Sequence, residues 1–244
     1  MLTLKNKTLQ PKFSVKIDGE TVEECSSYKH LGVFIDKNLT WKPHIENVCK
    51  KVAKACGFLS KLRHCAHIDT LISVYYALIY SYIRYGIISW GNASPTTLQP
   101  LNSLANRAVR IMTFAPFGNI DVDSIYKYLN IPKLSQTISL EVGKFIYKKQ
   151  NQLLPDENIA SHFELRNSNT AHKYNLRNRK VHLQTISLNS GRGEKLIQFR
   201  GSKLWYEIPD EIRCSESFNV FKKYLKEFLI EDLPDESDDI YFYY

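Results

Sequence analysis

The sequence predicts an α+β protein that is mostly α: a small antiparallel sheet, then a helical bundle, then a basic irregular C-terminal region. Three observations predict this class. Apolar residues alternate with polar ones only within the first 36 positions. From Thr40 onward they recur at spacings of three and four, the period of a helix with one buried face. A hydrophobic content of 43% over 244 residues supports a real core, and 9 Pro with 10 Gly do not make a disordered composition.

The sheet comes first. "KFSVKI" alternates Phe13, Val15 and Ile17, and Asp18-Gly19 is a pair favoured in a two-residue hairpin turn, after which "ETVEEC" returns. "YKHLGVFID" reads as a third strand with Leu31, Val33 and Ile35 on one face. Asp36 ends it as a turn residue. Three strands are marginal alone and need a surface to pack on.

Helices follow. Trp41, Ile45, Val48, Val52, Cys56, Leu59 and Leu62 mark the apolar face of a first long helix, whose opposite face carries Lys50, Lys51, Lys54 and Lys61. A second helix is expected from about Asp69 to Ile83. Ser94-Pro95 supplies an N-cap and a first-turn proline for a third, with Leu98, Leu101, Leu104, Ala108 and Ile111 inward. Asp121 caps a short helix to Leu129, and Pro132 precedes a fifth with Leu134, Ile138, Val142, Phe145 and Ile146. From Arg166 to Lys203 there are nine Lys/Arg and one acid, with little periodicity, so this segment reads as an exposed basic loop region. A last helix is expected from Ser217 to Ile230, before an acidic tail. The expected organisation is a sheet over 1–40, a helical domain over 41–155, a basic region with a closing helix over 156–230, and a tail over 231–244.

Most catalytic chemistries find no residues here. There is no Gly-rich phosphate loop, no Gly-x-Ser-x-Gly elbow, and no carboxylate pair following an apolar strand. His64, Cys65 and His67 lie together, but no second pair stands at zinc spacing. A helix terminus, where His suits the dipole, accounts for them at least as well. Five Cys without a CxxC pair, and no apolar leader, lead to the expectation of reduced thiols in an intracellular protein, nuclear or cytoplasmic. Leu71–Trp90 is the longest apolar stretch, too broken for a membrane span.

A net charge of +8 raises a polyanionic partner. Lys50, Lys51 and Lys54 could follow a phosphate backbone, Arg107 and Arg110 share a helix face, and His172, Tyr174, Arg177, Arg179 and Lys180 interleave rings with cations. Charge alone does not choose between such contacts and a solvated basic surface.

The order of the motifs adds a resemblance. "YKHLGVFIDKNLTWKPHI", through Tyr28, Leu31, Gly32, Val33, Ile35, Asp36, Leu39, Trp41, His44 and Ile45, resembles the palm-to-thumb segment of reverse transcriptases of jockey-like non-LTR retrotransposons. Lys7-Thr8 resembles the entry to the last palm strands. "VYYALIYSYIRYGIISWGNA" resembles the next block through Tyr75, Tyr85, Gly86, Trp90 and Gly91, and "LNSLANRAVRIM" the one after it. "HKYNLRNR", with Leu176 where Thr is common, "GSKLWYEIPDEIR", with Tyr206 where Asn is usual, and "FNVFKKYLKEFL" complete the series.

The resemblance implies the C-terminal portion of an RNA-directed DNA polymerase, acting on an RNA and DNA template–primer together with the rest of the enzyme. It implies neither a membrane nor a small-molecule substrate. The family's Tyr/Phe-x-Asp-Asp turn, which with an earlier Asp holds two metals, does not occur in the sequence. The chain alone is therefore expected to need no cofactor and to be inactive, whereas an intact parent enzyme would need Mg. Gly32, Asp36, Trp41 and His44 are expected to form the hinge between sheet and helices. The competing expectation is a non-catalytic helical interaction protein, or a decayed copy without activity, whose open sheet edge seeks other strands.

Overall fold

The computed structural model describes residues 16–115, 121–154 and 197–231. It divides into two compact units, 1–134 and 135–244. In the first unit the strands form two separate antiparallel hairpins. Strands β1 (Lys16–Ile17) and β2 (Glu20–Thr21) turn through Asp18-Gly19, as the sequence predicts. Strands β3 (Ser27–His30) and β4 (Val33–Asp36) pair with each other, His30 opposite Val33 and Ser27 opposite Asp36.

This corrects the expected third strand. Leu31 and Gly32 both take positive φ, 44° and 84°, and reverse the chain as a two-residue turn. A continuous strand cannot pass through two left-handed residues. Phe13 and Val15 lie outside the described residues.

Helix α1 (Lys42–Leu62) carries Pro43 in its first turn and buries Ile45, Val48, Val52, Cys56 and Leu59. The second expected helix runs from Ile68 to Arg84 in three parts: α2 (Ile68–Val74), a π-helical turn (Tyr75–Tyr80) and α3 (Ser81–Arg84). Leu71, Tyr75, Ile79, Ile83 and Ile87 are all buried, at intervals of four. An α-helix would rotate such a row steadily away from the core. The wider π turn, with Ser81 N–H donating to the Tyr76 carbonyl, slows that rotation. Helix α4 (Ile87–Trp90) follows a break at Gly86.

Helix α5 (Pro95–Thr113) is capped by Ser94, whose hydroxyl accepts from Thr97 N–H, and packs along α1. Its buried face is Leu98, Leu101, Ala105, Ala108, Val109 and Met112. Leu104 and Ile111, expected in that row, are half-buried at its margin. Helix α6 (Val122–Tyr128) is capped by Asp121, which accepts from Ser124 N–H. Tyr126 is buried and donates to Asn106 Oδ1 on α5.

The second unit comprises α7 (Leu134–Gln150, its first residue belonging to unit one), α8 (Ile197–Glu207), α9 (Asp210–Arg213) and α10 (Phe218–Glu231). Tyr147 stacks on Phe221 at 4.1 Å, and the Trp205 ring lies tilted 6.0 Å from Phe221. Gly143 and Gly201 let helices close. An added Cβ at Gly143 would stand 2.7 Å from Leu225, and one at Gly201 would stand 2.6 Å from Ile146. Helix α8 corrects the expected loop from Arg166 to Lys203, whose last seven residues, 197–203, are helical. Its face toward the core is built partly from Gly201 and Ser202, which carry no apolar signal, so hydrophobic periodicity does not reveal it. Among the described residues no helix is long and apolar enough to cross a membrane.

Candidate nucleic-acid interface

Asp36 organises the junction of β4 and α1. Its Oδ1 accepts from Trp41 N–H at 2.7 Å. Its Oδ2 accepts from the N–H groups of Asn38 and Thr40 and from the Thr40 hydroxyl. One buried carboxylate thus gathers the turn that leads into α1, while Trp41, the residue before the helix, sits half-buried with φ 62°, and no side chain caps the first turn. Burial pushes the Asp36 carboxyl up, but the hydrogen bonds from Thr40, Trp41 and Asn38 together outweigh it and hold the carboxyl below its ordinary range.

His44, in the first turn of α1, is buried with 2% of its surface exposed. Its Nδ1 accepts the Phe34 N–H of β4 at 3.4 Å, which leaves the proton of the neutral ring on Nε2. Its ring lies 5.4 Å from that of Trp90, its aromatic partner. Burial, and then the charge of Lys51, lower its pKa.

The opposite wall comes from the second family-like block. Tyr85 Oη donates to the Leu31 carbonyl at 2.6 Å, and Trp90 Nε1 donates to the Tyr85 carbonyl. A Cβ on Gly32 would meet the Tyr85 ring at 3.4 Å, and one on Gly86 would meet Val33 at 3.2 Å. Gly32 and His44 therefore meet Tyr85 and Trp90, while Asp36 and Trp41 bond to each other at the entry to α1. Sequence reading placed both blocks but not their contact, because nothing local to either block encodes a partner more than 40 residues away.

The lysines stand elsewhere on the same unit. Lys50, Lys51 and Lys54 are exposed on the outer face of α1, and the Lys51 ammonium lies over the Tyr82 ring at 5.0 Å. Toward the start of α1 a recess of about 430 Å³ runs between Lys42, Glu46 and Lys50 and Thr96, Thr97 and Pro100 of α5. Glu46 makes it mixed in charge, so the more strongly basic part of the helix is the later one, toward Lys61. On α5, Arg107 is exposed and Arg110 half-buried. Burial pushes the Cys56 thiol up in spite of the Arg107 charge. His172, Tyr174, Arg177, Arg179 and Lys180 lie outside the described residues, as do Lys7 and Thr8 and the acidic tail beyond Glu231.

The His64, Cys65 and His67 cluster is dispersed. His64 packs edge-on against Phe114, and His67 precedes α2 and pairs with Asp69 at 3.0 Å. Among the described residues no three His, Cys, Asp or Glu side chains converge as a metal site would require.

Comparison with known proteins supports the resemblance. The chain is similar to the probable RNA-directed DNA polymerase from transposon BS of Drosophila melanogaster, 27% identical over 143 residues, or 57% of this chain. It is similar also to the RNA-directed DNA polymerase from mobile element jockey of the same species, 24% identical over 54% of the chain. A third relative, the probable RNA-directed DNA polymerase from transposon X-element, is 28% identical over 46% of the chain. These matches span only 12% to 16% of the relatives' own lengths. No family model and no solved structure matches the chain. Its curated homologues are thus jockey-like and other non-LTR retrotransposon RNA-directed DNA polymerases, over about half of the chain.

Proposed function

We propose that the chain is a thumb-like portion of a mobile-element RNA-directed DNA polymerase, and that it binds the backbones of a template–primer without reading sequence. The observation that carries this reading is the row of Lys50, Lys51 and Lys54, all exposed on the outer face of one 21-residue helix. Such a row neutralises successive phosphates and releases their counterions. The similarity to polymerases supplies the partner class, RNA and DNA, and the rest of such an enzyme as a further partner.

The residues present do not fit the metal centre of a polymerase. Two-metal chemistry needs converging carboxylates. Asp36 has both oxygens engaged by backbone and hydroxyl donors, and among the described residues no group of three His, Cys, Asp or Glu side chains converges as a metal centre. No polymerisation step is assigned to this chain. In an intact enzyme Mg would sit with carboxylates other than these.

A second reading has its own observation: β3 is exposed along its whole length, with Tyr28 58% exposed, an edge open to another strand. It predicts self-association without nucleic acid.

A fluorescence titration with a short RNA–DNA hybrid at rising salt separates the two. Binding through three lysines predicts a slope of log Kobs against log salt of about −3, flattened when Lys50, Lys51 and Lys54 become Gln. Association of the free chain, with no affinity for the hybrid at low salt, would replace the first reading by the second.

A further inference from the structure

The lysine row of α1 is interrupted at one position, and the interruption is a glycine. Lys50, Lys54, Gly57 and Lys61 follow one another at spacings of four, three and four, which places them on a single outward stripe about 16 Å long. Glycine is among the poorest residues for a helix interior. Packing does not require it here, since a Cβ added at Gly57 meets no atom within 4 Å. The contrast with Gly143 and Gly201, whose added Cβ atoms would collide with neighbouring helices, is direct. Gly57 therefore faces open space in the folded chain. Phe58 beside it is 49% exposed, and Ala53, one turn earlier, leaves the flank of the stripe low. Among the described residues Lys50, Lys54 and Lys61 form no ion pair, so their charges are available to a partner.

We infer that Gly57 is a notch in which one sugar–phosphate strand of a bound nucleic acid rests directly on the α1 backbone. Lys54 and Lys61, a turn to either side, hold the flanking phosphates, and Phe58 packs on the sugars. The missing side chain lets the strand come close enough for both ammonium groups to reach it. The stripe's charge and the absence of any acid between Lys50 and Lys61 select a polyanion. The flat apolar ring at its edge selects one with sugars and bases over a carboxylate chain. This inference rests on the nucleic-acid reading above and adds the register of the contact.

The test compares wild type with Gly57→Ala, Phe58→Ala and the triple change of Lys50, Lys54 and Lys61 to Gln. Each is titrated with a short RNA–DNA hybrid, its single strands, and a polyglutamate of similar charge, and each is melted without ligand. Gly57→Ala should raise the Tm, since alanine is the better helix former. It should also weaken hybrid binding by about tenfold, the scale on which an overfilled close contact acts. Phe58→Ala should weaken the hybrid and spare polyglutamate, and the triple change should flatten the salt dependence.

Loss of affinity in the triple variant with unchanged affinity in Gly57→Ala would overturn the notch and leave the nucleic-acid reading standing. No hybrid binding by wild type would remove both. Equal losses toward polyglutamate in Gly57→Ala and Phe58→Ala would overturn the assignment to a sugar–phosphate strand. A lowered Tm for Gly57→Ala would show that α1 needs the glycine for its own fold, which also contradicts the notch.

Discussion

At the scale of single residues, the corner at the start of α1 is held by two titratable side chains whose protonation works against it. Asp36 ties the turn into α1 as a carboxylate, and hydrogen bonds hold its pKa below the ordinary range against the opposing push of burial. A depressed acid contributes stability that is fully present above the unfolded pKa, about 3.9, and is lost as pH falls through the lower folded value. His44 has the same sign by a different cause. Burial and Lys51 disfavour its charged form, so its share is complete above the unfolded pKa of about 6.5 and declines as pH falls toward the lowered one. A protonated His44 would also turn a donor toward the Phe34 N–H that it now accepts. The expected outcome is two steps of acid destabilisation, one beginning near pH 6.5 and one below about pH 4. Thermal melts from neutral to acid pH should show both, and His44→Gln should abolish the first while leaving the second. A single step below pH 4 in wild type would show that His44 does not titrate as its surroundings dictate.

At the scale of elements, the glycines divide by what surrounds them. Gly32 and Gly86 have φ of 84° and 63°, and each meets a side chain from the other's block, so the hairpin and α4 fit only while both stay small. Gly143 and Gly201 serve helix packing in the second unit. Gly201→Ala should push Cβ into Ile146 and cost about 1–3 kcal/mol, as overpacking does. Urea unfolding that gave Gly201→Ala the stability of wild type would mean that α7 and α8 do not approach as described.

These same elements show what sequence could and could not convey. Helices α1, α5, α6, α7 and α10 were legible because long aliphatic and aromatic residues mark their inner faces, and Ser94 and Asp121 mark two of their starts. Helix α8 was not, because Gly201 and Ser202 carry part of its buried face. The turn at Leu31-Gly32 was hidden because leucine rarely adopts a left-handed conformation, and alternation across a hairpin reads like alternation along one strand. Of the candidate site, the lysine row was fully legible from helical period. The partnership of His44 with Trp90 was not, since it joins segments distant in sequence.

At the scale of the whole molecule, the family-like blocks and the basic surface have different tasks. Gly32 packs on Tyr85, Gly86 on Val33 and His44 on Trp90, which builds a junction, and Trp205 and Ile208 lie in the core of the second unit. The residues of the family-like blocks are thus mostly architecture, and the proposed contact falls on the lysines and small residues of α1 that no motif singles out. The most direct test of that assignment is to cross-link the chain to a photoreactive RNA–DNA hybrid and map the modified peptides by mass spectrometry. Adducts concentrated between Lys50 and Lys61, suppressed by added salt, are the predicted result. Adducts confined to other segments, with α1 unmodified while the hybrid is bound, would contradict it.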